Sequence, residues 1–451
     1  MVVSDNGKHV AIFAFPAGSH VNVILNLALK LAQAAPNVRF SFFNTAKFNQ
    51  TLSSNPHIPE NIKAYDVADG IPEGHVLGHP VEAVNLFLQA GPQNLQKGID
   101  FAVQETKERV TCIIADAFVA SSLIVAQNLQ VPWIALWASH PCALSAHMYT
   151  DSIRHRFADG NIRTLDFIPG LSKIFIEDLP GGVLRDGEED SIFSRTLASM
   201  GEVLPQAKAV LMNFYEELVP SPCVDDLKSK MQSLFHLGFL SLSLPLPPRP
   251  PSDTDATGCL SWLDRQSTRS VAFLSFGTVM IPPPHELVAI AETLEESRIP
   301  FLWSLKDNFL GILPKGFLER TCLRGKVVPW APQIHVLGHD SVGVFVTHCG
   351  LNSVSESVLN EVPMICRPLI GDHGISARII EDVWRIGVRV EGGVFSKNGL
   401  VKSLKLVLLE KEGKKMRKNI QVVKKIVVDA AGPKGKAGQD FPTLVDLISS
   451  S

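Results

Sequence analysis

Residues 8–35 read KHVAIFAFPAGSHVNVILNLALKLAQAA, and the pattern changes character halfway along. Lys8 to Phe15 is a short, β-rich apolar run. A Pro-Ala-Gly turn follows, and Val21 to Ala35 then carries apolar residues at helical spacing. Strand character returns in VRFSFFNT (38–45) and IKAYDVADG (62–70), and VTCIIADAF, SSLIVAQNLQ and VPWIALW repeat strand, helix and strand. Alternation of this kind implies parallel strands joined by crossover helices.

The opening motif then recurs. SVAFLSFG (270–277) resembles KHVAIFAF, as if a second unit begins as the first does. HELVAIAETLEES follows as a helix, FLWSLKD, KVVPW and GVFVTHCG as strands, NSVSESVLN as a helix and PMICRP as a strand. Between the halves, SLSLPLPPRPPSDTDATG (241–258) is dominated by Pro, Ser and Asp and reads as a linker. A chain of 451 residues is too long for one core. The expectation is therefore two doubly wound, Rossmann-like α/β domains facing each other across a cleft. Their limits are 1–240 for the first, 241–258 for the linker and 259–451 for the second. The last helix, near 439–449, is expected to pack back on the first domain. Ligands of such domains sit at the carboxyl ends of the strands. No Gly-x-Gly-x-x-Gly follows either opening strand, which counts against a nicotinamide or flavin enzyme.

Composition narrows the class further. Apolar residues make up 45% and charged residues 19% of the chain, as in an ordinary globular protein. A net charge of −3 offers no field for nucleic acid or an anionic membrane. Lys and Arg do gather in KEGKKMRKNIQVVKK (411–425), where the solvated face of a late helix is the expected reading. MVVSDNGKHV lacks a basic segment followed by an apolar one, so no secretory signal is expected. The most apolar window, VTCIIADAFVASSLIVAQNL, is interrupted by Asp116 and Gln127 and reads as strand plus helix, not a membrane span. Seven scattered cysteines without a C-x-x-C pair argue against a metal site or a disulfide framework, so a cytoplasmic location is expected. The chain is expected to be a monomer.

The densest chemistry lies between Trp330 and His373. GVFVTHCG should end near His348 and pass through Gly350 into a helix whose first turn holds Asn352 and Ser353. Free N–H groups and the positive end of the helix dipole, with two small polar side chains and an imidazole, make an anion site. Glu356, four residues beyond Asn352 on the same helical face, has the acceptors for a pair of sugar hydroxyls. Trp330 directly follows the strand KVVP, at a mouth where an indole stacks on a base. Taken singly, Asn352 and Ser353 are more often helix caps and Trp330 more often core. Their co-occurrence on neighbouring strand ends favours a nucleotide site. His335 and His339 read as structural.

In the first half, His20 lies between the first strand and the first helix, and Asp116 ends the apolar strand TCIIA. A loop histidine is usually solvated or a cap, and a buried carboxylate is costly unless partnered. A buried Asp beside an imidazole, however, fixes its tautomer and stabilises imidazolium as a proton arrives.

At this point a resemblance becomes specific. W-A-P-Q, H-C-G-x-N-S, E-S, V-P-M and a closing D-H run from Trp330 to His373 without a gap. They resemble the signature box of plant UDP-sugar-dependent glycosyltransferases. Over the whole chain the likeness is greatest to flavonoid and anthocyanidin 3-O-glycosyltransferases, through IPEGHV, CIIADAF, LPQAKAV, GCLSWLD, PPPHELVAIAE, LPKGF and AAGPKGKA. The resemblance implies a fold of the GT-B type and a metal-free, inverting transfer of a hexose from a UDP-sugar to a flavonoid hydroxyl, foremost the 3-OH. It implies His20 and Asp116 as the catalytic dyad. Trp330 would stack on uracil, the backbone of Ala331 would pair with its edge, and Gln333 and Glu356 would hold the ribose. Thr278, His348, Asn352 and Ser353, with backbone at Gly350 and Leu351, would hold the diphosphate; Asp372 and His373 would face the sugar. The partners are then small molecules, UDP-sugar and flavonoid. UDP-sugar is a co-substrate, and no cofactor is expected. A flat phenol suits an apolar pocket from Phe118, Trp137, Ala138, His147 and Phe193, though any of these could be core. The alternatives are a glycosyltransferase for another plant phenol and a binding protein that holds a UDP-sugar or flavonoid without turnover.

Four positions bear on specificity. Leu351 stands where the family usually has Trp, and Glu361 where it usually has Gly; if that Gly needs a positive φ, Glu costs about 1 kcal/mol. Ala138 replaces a frequent Thr. The box closes in Asp-His, as in several galactosyltransferases, where glucosyltransferases usually close in Asp-Gln. Galactose is therefore placed slightly ahead of glucose, with rhamnose and a pentose behind.

Overall fold

The structure, a computed structural model, describes residues 7–53, 58–77, 80–158, 160, 163–181, 183–184, 192–248, 250–251, 255–278 and 280–450. The opening residues 1–6, and residues 249 and 252–254 of the expected linker, lie outside the described residues. Two parallel-sheet α/β units result. The first comprises residues 1–172, 181–241 and 429–451, and the second residues 173–180 and 242–428.

The first unit is built on seven strands: β1 (Lys8–Phe13), β2 (Val38–Asn44), β3 (Ile62–Asp66), β4 (Cys112–Asp116), β5 (Trp133–Trp137), β6 (Ala209–Met212) and β7 (Leu234–His236). Their order is β3-β2-β1-β4-β5-β6-β7, every adjacent pair parallel. The chain builds outward from β1 to β3 and then crosses to β4 on the other side of β1. That reversal opens a crevice at the carboxyl ends of β1 and β4. Both β4 and β5 are buried throughout, because helices cover both faces of a parallel sheet. One face packs under Val23, Ile24, Leu27 and Leu31 of the helix Gly18–Ala34, joined by Leu444 and Ile448 of the last helix, Lys436–Ser450.

The second unit repeats the plan with β8 (Val271–Ser275), β9 (Phe301–Ser304), β10 (Gly325–Val328), β11 (Val342–Thr347), β12 (Met364–Cys366) and β13 (Gly387–Arg389). The order β10-β9-β8-β11-β12-β13 reverses between β8 and β11. In the basic stretch 411–425, Met416, Ile420 and Val423 turn inward at helical spacing while the lysines Lys414, Lys415, Lys418 and Lys425 face solvent.

Two details differ from the sequence reading. The first helix starts at Gly18, so His20 occupies its first turn, not a loop. Lys173–Pro180, placed in 1–240 on sequence, groups with the second unit. The reason is a buried carboxylate in that segment, Asp178, which is bonded to Arg378 and Arg389.

Candidate active site

In the first unit the register pairs Phe13 of β1 with Ala115 of β4, which brings the first turn of the following helix beside Asp116. Nδ1 of His20 lies 2.7 Å from Oδ2 of Asp116, whose carboxylate is fully buried. The other oxygen, Oδ1, accepts the N–H of Phe118 at 2.9 Å. Both oxygens of the carboxylate are thereby engaged. An N–H donor to Asp116 places the His20 proton on Nδ1 and makes Nε2 the basic nitrogen.

Aromatic rings surround this pair. Phe118 lies 4.6 Å and Phe15 5.3 Å from the His20 ring, between centroids. Phe193 stacks on Phe15 at 6.1 Å, and Trp137 meets Phe118 edge-on at 5.7 Å. His147 meets Trp137 in turn at 5.7 Å. Burial holds the His147 imidazole down to about 4, so it is neutral at physiological pH, and among the described residues its Nδ1 has no hydrogen-bond partner. Ala138 is half-buried against the core, its carbonyl accepting from Asn213 at 3.0 Å. Phe15 and Phe87, which complete this cluster, were not singled out on sequence. Phe15 was read as the tail of a strand, and nothing in the local pattern of Phe87 ties it to β1.

In the second unit the strand-end residues converge at the carboxyl ends of β8, β10 and β11. The helix Leu351–Leu359 begins directly after Gly350, with Asn352 and Ser353 in its first turn. The N-cap position belongs to Gly350, not to Asn352 or Ser353. The Ser353 hydroxyl instead accepts from Nε2 of Gln333 at 2.9 Å, and the same amide donates to Oε2 of Glu356 at 2.8 Å. Burial pushes the Glu356 carboxyl above its usual range, partly offset by that bond. Trp330 is 62% exposed, which removes the core alternative, while the adjoining Ala331 is buried. Thr278 is exposed just past β8, its carbonyl accepting from Lys306 at 3.1 Å.

His348 sits between two glycines. A Cβ on Gly277 would meet its ring at 2.9 Å, and one on Gly350 would come within 2.5 Å of its Nε2. Gly277 also has φ +77°, so any larger residue would be strained and would displace the imidazole. The ring of His373 packs edge-on against His348 at 4.8 Å. Burial, with a smaller effect of His373, lowers the His348 imidazole to about 3, and burial lowers His373 to about 4. Both are neutral at physiological pH. Nδ1 of His373 accepts the N–H of Ile370 at 3.2 Å, which leaves its proton on Nε2. Asp372 stands at the N-terminal boundary of the short helix His373–Arg378. Leu351 is buried. Glu361 adopts φ +59°, a position suited to glycine, and its carboxylate is tied to Lys424 at 2.8 Å and Gln421 at 3.1 Å. His339 is bonded to Asp264 and Ser341.

Among the described residues, no group of three or more His, Cys, Asp or Glu is gathered where it could hold a metal ion, and no helix is long and apolar enough to cross a membrane.

The chain is similar to known proteins over nearly its whole length. Residues 252–430 match the family model described as UDP-glucoronosyl and UDP-glucosyl transferase. A flavonol 3-O-glucosyltransferase of Actinidia chinensis var. chinensis is 45% identical, the alignment covering 99% of each chain. An anthocyanidin 3-O-galactosyltransferase of Rhododendron delavayi is also 45% identical, over 98% of this chain and 97% of its own. The crystal structure of a UDP-glucose: anthocyanidin 3-O-glucosyltransferase in complex with UDP superposes with a TM-score of 0.94 at 58% identity, covering 99% of this chain and 100% of that one.

Proposed function

The chain belongs to the UDP-glycosyltransferase family, and on that premise we propose that it moves a hexose from a UDP-sugar to the 3-hydroxyl of a flavonol or anthocyanidin. The observation that carries the reading is the His20–Asp116 pair, 2.7 Å apart in a ring of aromatic side chains at the β1/β4 reversal. A flat phenol stacks well on such rings, and the names of the relatives point to the same acceptor class.

In this mechanism Nε2 of His20 takes the proton from the acceptor hydroxyl as its oxygen attacks the anomeric carbon. Asp116 holds the ring in the required tautomer and balances the imidazolium that forms. The bond to the diphosphate breaks on the opposite face, through an oxocarbenium-like state, so configuration inverts. Charge developing on the departing UDP falls to the N–H groups at Gly350 to Ser353, with His348, Asn352, Ser353 and Thr278 as donors. Trp330 stacks on the base, Ala331 pairs with its edge, and Gln333 and Glu356 hold the ribose; their mutual hydrogen bond presets the two side chains.

Asp372 and His373 face the sugar. Because Nδ1 of His373 is occupied by the Ile370 N–H, the residue offers the sugar one donor, Nε2–H. A carboxamide at the same place would offer a donor and an acceptor with longer reach. This difference favours UDP-galactose slightly over UDP-glucose, with UDP-rhamnose behind. Relatives at equal identity carry both sugar names, so the preference rests on His373.

The test is product identification. Purified protein is incubated with quercetin, kaempferol or cyanidin and, separately, UDP-galactose, UDP-glucose and UDP-rhamnose. The expected product is the 3-O-galactoside, ahead of the glucoside. No product from any pair, with UDP still bound, would make the chain a binding protein.

A further inference from the structure

Asp178 belongs to Lys173–Pro180, the segment that leaves the first unit in sequence and joins the second. Its carboxylate is 2% exposed and accepts four hydrogen bonds. Oδ2 receives Nε of Arg378 at 2.8 Å and the N–H of Phe175 at 2.9 Å. Oδ1 receives Nη2 of Arg378 at 3.2 Å and Nη1 of Arg389 at 2.9 Å. The Arg378 guanidinium also lies over the Phe175 ring, 4.2 Å from its centroid.

What this cluster touches gives it a role beyond stability. Arg378 is the last residue of the helix His373–Arg378, and Gly374 is its second. A Cβ on Gly374 would stand 2.4 Å from the Asp178 carbonyl oxygen, so the two backbones are in direct contact there. A helix of six residues is thus gripped near its start by the main chain of Asp178 and at its end by the side chain of Asp178. His373 is the residue before Gly374, so its backbone is anchored next to that contact. On the other side of the turn, Nε of Arg367 is held by the buried Glu286 at 2.9 Å.

We propose that Asp178 is a positioning residue for donor-sugar recognition: it sets the place of Asp372 and His373 through the helix they begin. The proposal rests on the reading that these two residues face the sugar. Misplacing a binding group by about 1 Å costs up to about a hundredfold in rate, and the sugar end of the donor is where that loss would appear.

The experiment compares the wild type with Asp178→Asn, Gly374→Ala and His373→Gln. It reads UDP affinity, KM for UDP-galactose and UDP-glucose, and the ratio of the two kcat/KM values. Asp178→Asn keeps the shape of the side chain, and Arg378 and Arg389 retain Asp382 and Glu381 as partners. The expected result for it is UDP affinity within about twofold of wild type, KM for both sugars raised about tenfold and a changed donor ratio. Gly374→Ala presses on the same contact from the helix and should act in the same direction; it decides the matter if Asp178→Asn does not fold. A folded variant with unchanged KM values and ratio overturns the proposal. So does an equal loss of UDP and UDP-sugar binding, the pattern of a residue that only holds the unit together. If His373→Gln leaves the donor ratio unchanged, the sugar-facing reading itself fails. If His373→Gln shifts the ratio and the other two variants do not, only the role of Asp178 fails.

Discussion

His20 and His348 each stand at the reversal point of a parallel sheet, the first after β1 and the second after β11, yet their surroundings are opposite. His20 is given a fully buried carboxylate at 2.7 Å. Among the described residues no carboxylate is bonded to His348; two glycines close on its ring, another imidazole packs against it and burial drives it to about 3. The first environment suits an imidazole that gains a proton, as the proposed base would, and the second keeps an imidazole neutral, as suits the proposed diphosphate contact. The scaffold thus fixes where a histidine stands, while its nearest partner decides what it does.

The first way to break this comparison is to remove the partner. Asp116→Asn keeps the shape but no longer enforces the Nδ1–H tautomer, and kcat should fall by about 10² to 10⁴ with UDP affinity unchanged. Retained turnover in a steady-state assay would show that the carboxylate is a structural bond only. A smaller effect is expected at the base end of the second unit. Trp330→Ala removes an exposed stacking surface and should weaken UDP about tenfold by calorimetry, without changing kcat at saturating donor.

The smallest effect concerns stability. Folded His348 and His373 titrate at about 3 and about 4, below the ordinary imidazole value near 6.5. In that window the unfolded chain binds protons that the folded chain refuses. Stability is therefore full above about pH 6.5 and declines as pH falls toward 4. His348→Asn should reduce the loss between pH 7 and pH 5 by about 1 kcal/mol in denaturant unfolding, a figure discounted for the partial accessibility of the ring. His373, at about 4, and the buried His140 and His147, at about 3 and about 4, still contribute to the slope in that variant. An unaltered slope would mean that His348 titrates normally.

Much of this was legible from residue order, because the strongest elements carry their own signal. The runs opening at Lys8 and Val271 became the central strands of the two sheets, and the stretch from Val342 to Leu359 became strand, turn and helix. The short strands β6, β7 and β13, of three or four residues, were missed, although β12 is as short and PMICRP marked it. The site divided in the same way. Trp330 to His373 is contiguous and shows itself as a box, whereas the wall of Phe15, Phe87, Phe118 and Phe193 is assembled from separate segments. Asp178 left no trace for a further reason: its partners Arg378 and Arg389 lie some two hundred residues away in sequence. Glu361 is instructive in the other direction. Its positive φ was foreseeable from the glycine usual at that place, but the bond to Lys424 that accompanies it was not.

The division of labour between the two histidines is tested most directly in one variant, His20→Ala, with turnover and UDP affinity measured on the same preparation. Loss of several orders of magnitude in kcat, with the Kd for UDP within about twofold of wild type, is the expected result. Turnover that survives, or UDP affinity that falls in parallel, would contradict the assignment of His20 as the base.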